Sequence, residues 1–124
     1  MKELDGAVEA ADRRVGLVPE NLDHSRFLAR VLARRADFLH DAGRVDDARR
    51  DVERSLLLYR DLAGREPPVP ADMADYAMKL LVCPFEDLRD PKEALCWAER
   101  AVAGGGPDGP YTEVLEKARE AVGR

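Results

Sequence analysis

At 124 residues, with 45% apolar and 36% charged side chains but only 6% aromatic, the chain is long enough to bury one modest core and too apolar to remain disordered. A formal charge of -5 and an isoelectric point near 5.1 argue against the strongly basic face that nucleic-acid binding normally needs. No run nears the roughly 18 apolar residues of a membrane span. The start Met1-Lys2-Glu3-Leu4-Asp5 lacks the apolar stretch of a signal peptide, and two cysteines, Cys83 and Cys96, form no disulfide framework; together these predict a cytoplasmic protein with free thiols.

Apolar residues recur at spacings of three and four along the whole chain, which predicts six helices and no strand. The first helix covers about 3–15, with Leu4, Ala7, Val8, Ala11 and Val15 on one stripe and Pro19 just past its end. The second starts near Asp23 or Ser25 and carries Phe27, Leu28, Val31, Leu32, Ala36 and Leu39 to Gly43, a residue suited to the left-handed conformation that closes helices. The third begins near Asp46 and runs through Ala48, Val52, Leu56, Tyr59 and Leu62 until Pro67, Pro68 and Pro70 break the chain.

The fourth, about 71–83, shows Met73, Tyr76, Ala77, Leu80 and Leu81 before Pro84 ends it. The fifth has the clearest start: Asp90 can cap, Pro91 suits the first helical position and Glu93 can complete a capping box. Its stripe is Ala94, Leu95, Ala98, Ala101 and Val102, and Gly104-Gly105-Gly106 is expected to stop it. The sixth, from Pro110 to about Val122, carries Tyr111, Val114, Leu115 and Ala118.

The run Gly43-Arg44-Val45-Asp46-Asp47-Ala48, with Leu32, Ala36 and Leu39 before it and Val52 after it, resembles the turn of a tetratricopeptide repeat. The segment Leu88-Arg89-Asp90-Pro91-Lys92-Glu93-Ala94-Leu95, followed by Ala98, Ala101 and Val102, is similar to a variant repeat of large bacterial multidomain proteins, including those with serine/threonine kinase domains. The resemblance implies an all-α fold of antiparallel hairpins stacked as a short solenoid in one domain over 1–124. Its parts would be a half-repeat at 1–19, a repeat at 25–62, a degenerate repeat at 71–104 and a terminal helix at 110–122. Ala7, Ala48 and Ala94 are 41 and 46 residues apart, longer than the roughly 34 of that family, and Arg35 and Ser55 stand where it prefers small or apolar residues.

Such hairpins pack because small residues (Ala36, Ala48) let two helices approach while Leu32, Leu39, Val52 and Tyr59 fill the seam. On the second helix Arg30, Ala33, Arg34, Asp37, His40 and Asp41 then fall away from the seam, and Ala74, Met78 and Leu81 hold the corresponding places on the fourth. Stacked hairpins of this type would line a concave groove with the first helix of each, and these are the candidate residues for binding a peptide or neighbouring domain there. The alternative is a solvated face on which Arg30, Arg34, Asp37 and Asp41 neutralise one another through pairs three and four residues apart.

Catalytic and metal chemistry find little support. Asp37, His40 and Asp41 share one helix face, but there is no HExxH and no neighbouring histidine; Cys83 and Cys96 have no CxxC spacing and are expected to be buried. The 104–110 stretch lacks the lysine and hydroxyl of a phosphate loop. The central hairpin from Ala29 to Leu62 has eight arginines, but seven acids offset them. The reading is therefore a non-enzymatic interaction module without cofactor, or alternatively a structural or regulatory spacer of a larger bacterial protein. Apolar stripes on the terminal helices predict self-association unless they are covered.

Overall fold

Six amphipathic runs fold as six α-helices: α1 (Lys2–Leu17), α2 (Leu22–Asp41), α3 (Val45–Ala63), α4 (Pro70–Val82), α5 (Pro91–Gly105) and α6 (Thr112–Val122), with one 3-10 turn at Glu86–Leu88. This is a computed structural model, and it describes residues 2–106 and 109–123. Pro107 and Asp108, within the expected glycine-rich turn, lie outside the described residues. No strand occurs among the described residues, so the protein is all-α.

The helix ends follow from local chemistry. Asn21 starts α2 earlier than its stripe suggests, because its side-chain oxygen accepts the Asp23 N–H at 3.1 Å. Gly43, at φ 82°, provides the left-handed turn between α2 and α3, where a side chain would be strained. Asp90 caps α5 by accepting the Glu93 N–H at 3.1 Å. Glu93 does not return the bond: the Asp90 N–H donates to the Leu80 carbonyl at 3.0 Å, which frees the Glu93 carboxylate for other partners. The triple glycine does not stop α5 at its first residue; the helix runs through Gly105 and Gly106 ends it at φ 91°.

The chain divides into two compact units whose boundary, between Leu58 and Tyr59, lies inside α3 and not at the proline-rich loop. In the first, Val8 and Ala11 of α1 pack on Leu28, Val31 and Leu32 of α2, with Ala7, Val15, Phe27 and Leu58 at the edges. Ala48 and Val52 of α3 and Ala36 and Leu39 of α2 are also buried. In the second, α5 packs on both α4 and α6 through Met73, Ala77, Leu80, Ala94, Ala98, Ala101, Val114, Leu115 and Ala118. Tyr59, the first residue of this unit, is buried with the Lys79 ammonium 5.9 Å from its ring centre. Val8 and Ala11 of α1 and Val114, Leu115 and Ala118 of α6 are buried within their own units, whereas Leu4 and Val15 are half-buried and Val122 is exposed.

Candidate functional site

The α2 face turned away from α1 holds the first group of candidates. Arg30, Arg34, Asp37, His40 and Asp41 are exposed and Ala33 is half-buried. The alternative of mutual neutralisation along the helix does not form among these residues. Among the described residues, Arg30, Arg34 and Asp37 have no ion-pair partner, while Asp41 lies 4.0 Å from Nδ1 of His40 and Arg26 pairs with Asp23 at 2.8 Å. Spacing alone permits pairs three or four residues apart, but holding long exposed side chains in one rotamer costs about as much as the Coulomb attraction returns in water. Phe38 stands one turn beyond Arg34 with 55% of its surface exposed, so an aromatic ring completes a row begun by two unpaired guanidinium groups. Phe38 fits neither the apolar stripe nor the charged set, so periodicity does not single it out.

Beside this face, Arg35 shows why a long cation occupies a position where a small residue was expected. Its Nε and Nη2 donate to both carboxylate oxygens of Asp51, at 2.7 and 2.9 Å, and its Nη1 donates to Asp5 at 3.2 Å. One guanidinium thus joins α1, α2 and α3. The bidentate bond to Asp51 holds Arg35 firmly protonated, more than offsetting the desolvation that opposes it. Ser55 is buried with its hydroxyl donating to the Val52 carbonyl at 2.9 Å, so it needs no partner beyond its own helix.

A half-open cleft of about 300 Å³ adjoins this network, lined by Asp5, Arg35, Leu39, Arg44, Asp47, Arg50 and Asp51. Asp47 accepts from Arg44 at 2.6 Å and from Arg50 at 2.8 Å. Three arginines therefore face three aspartates and the cleft carries no net field for an anion. Arg54 is likewise paired, with Asp12 of α1.

On α4 the three candidates divide. Ala74 is buried, only 8% exposed, and so contributes to packing instead of a surface a partner could reach, whereas Met78 and Leu81 are half-buried. The polar cluster of this unit lies elsewhere. One Glu93 carboxylate oxygen accepts from the Tyr76 hydroxyl at 3.3 Å and from the Trp97 indole at 3.4 Å. The two rings meet edge to face, 5.8 Å apart, and the Arg100 guanidinium lies 4.5 Å above the Trp97 ring. Burial, reinforced by the Glu93 charge, pushes the Tyr76 phenol up to about 12. The only clue in the sequence is that Glu93, Trp97 and Arg100, at i, i+4 and i+7, share one side of the α5 helix.

The cysteines also divide. Cys83 is buried, its thiol bonded to the Phe85 carbonyl at 3.4 Å, and burial raises its pKa, which disfavours the reactive thiolate. Cys96 is exposed, contrary to expectation, because it falls on the α5 face opposite the alanine stripe. Asp37, His40 and Asp41 remain on an open helix surface, and among the described residues no three His, Cys, Asp or Glu side chains converge as metal ligands. No helix is long and apolar enough to cross a membrane among the described residues.

No family model, curated protein or solved structure matches the chain.

Proposed function

We propose that this chain is a protein-interaction module of tetratricopeptide type, bacterial and cytoplasmic, that holds a peptide or a neighbouring domain on the exposed face of α2. The observation that carries this reading is the row Arg30, Arg34 and Phe38: two cations without ion-pair partners among the described residues and one exposed ring. Exposed charges add little to folding but steer association and set specificity. Arginines and aromatic rings also dominate the energetics of interface centres. Ala33, Asp37, His40 and Asp41 would border the partner, and Met78 and Leu81 are the corresponding residues of α4. The alternative, a spacer within a multidomain protein such as a serine/threonine kinase, draws on Leu17 and Leu57, which are 80% and 66% exposed and would gain from cover.

The test is crosslinking capture from lysate of the source organism with the double variant Arg30→Glu/Arg34→Glu, with Phe38→Ala, and with the control Lys117→Glu/Arg119→Glu. Loss of capture in the first two, with helical circular dichroism unchanged and the control silent, supports the α2 face. Undiminished capture in both, with loss in Leu57→Asp, overturns it in favour of the spacer.

A further inference from the structure

The second unit carries a cleft of about 510 Å³ lined by Pro68, Pro70, Met73, Arg100, Ala103 and Gly104, within the roughly 300–1,000 Å³ of ligand pockets. Its construction follows from the sequence. Pro70 begins α4, Gly104 lies near the end of α5, and a Cβ on Gly104 would sit 2.8 Å from the Pro70 ring, so only glycine lets the two helix ends approach this closely. Met73, buried, lies one turn further into α4. Five of the six lining residues are apolar; the sixth, Arg100, is exposed and has no carboxylate within ion-pair distance among the described residues. Its guanidinium lies over the ring of Trp97, which Glu93 and Tyr76 hold in place. A cation fixed this way has lost much of its rotamer freedom before any ligand arrives, so less entropy remains to be lost on binding.

We propose that this cleft is a peptide site, separate from the α2 face, that takes one aliphatic or aromatic side chain into its Pro70 and Met73 wall while Arg100 holds the carboxylate of an adjacent Asp or Glu. Charge limits the ligand to one carboxylate. Arg100 is the one charged residue lining the cleft and has no ion-pair partner among the described residues, so it complements one carboxylate and leaves a second without a cation.

Trp97 is the single tryptophan, so its fluorescence in the full chain reads the cleft without a label. The probes are the capped pentapeptide Gly-Ser-Leu-Glu-Ser and its relatives in which Leu becomes Ser or Glu becomes Lys. The first is expected to give a saturable change in Trp97 emission and a matching peptide-observed nuclear magnetic resonance transfer, and the other two to bind at least tenfold more weakly. Ala103→Phe, which fills the cleft from an exposed helical position, should abolish binding with circular dichroism unchanged. Arg100→Gln should weaken the Leu-Glu peptide about tenfold and remove its preference over the Leu-Lys peptide. No signal by either method at millimolar peptide overturns the proposal. So does binding that is indifferent to both Ala103→Phe and Arg100→Gln.

Discussion

In the unit that ends at Leu58, an apolar core is supplemented by charge between helices: Arg35 of α2 reaches Asp51 of α3 and Asp5 of α1, and a second pair, Arg54 with Asp12, ties α3 to α1. In the unit that begins at Tyr59, helices meet across methyl groups, with Ala77 of α4, Ala94, Ala98 and Ala101 of α5 and Ala118 of α6 all fully buried. Both devices solve one problem, bringing two helices into register, but they fail in opposite ways. A buried ion pair fails when something is removed, because the remaining charge keeps its desolvation cost and loses its partner. An alanine seam fails when something is added, because the backbones are already close and extra methylenes force them apart.

The sharpest way to break the comparison is Arg35→Ala. It strands Asp51, only 6% exposed, and should cost about 3–5 kcal/mol in a urea melt, whereas replacing both partners by apolar residues of similar size should cost much less. If Arg35→Ala costs under 1 kcal/mol by the exposed-pair standard, the pair is ornamental and the two units do not differ in kind. Next is Ala98→Leu in the other unit, which should cost about 1–3 kcal/mol, with a change in Trp97 fluorescence because Trp97 is its chain neighbour.

Third is Tyr76, where a charge lies close beside the alanine seam. Its phenol ionises at about 12 in the folded chain against 10.0 ordinarily, so the neutral form is the one folding favours. The stability this contributes is fully present below pH 10 and is lost as pH rises from 10 towards 12. Tyr76→Phe should cost about 0.5–1.5 kcal/mol at neutral pH for the lost bond to Glu93 and flatten that alkaline decline in a pH series of thermal melts. Smallest is Arg54→Ala. Its pair with Asp12 is half exposed, so the loss should be about 0.2–1 kcal/mol and should shrink further at high salt.

Much of the helix map was legible because helix periodicity and capping are local. Val8, Ala11, Leu32, Ala48, Ala94 and Ala98 could be read as buried from spacing alone, and Asp90 as a cap from its place before Pro91. The candidate surface was legible only in part. Arg30 and Arg34 lie where the pattern put them, but Ala74 is packed away and Phe38, which belongs to the same exposed row, was invisible to a search for either stripes or charges. A repeating stripe does not say where one compact unit ends and the next begins, and along α3 that boundary falls between Leu58 and Tyr59.

The sequence by itself determined what depends on neighbours within about one helical turn: six helices, their faces, and the stops at Gly43 and Pro84. Tertiary structure alone decided the partners of the long polar side chains. Arg35 and Asp51 are 16 residues apart and Tyr76 and Glu93 are 17 apart, and nothing local ties them. Which cation is neutralised and which stays unpaired, as Arg30, Arg34 and Arg100 do among the described residues, depends on which acid the packing brings within bonding distance. That is a property of distance in space, and the one-dimensional pattern of charges does not contain it.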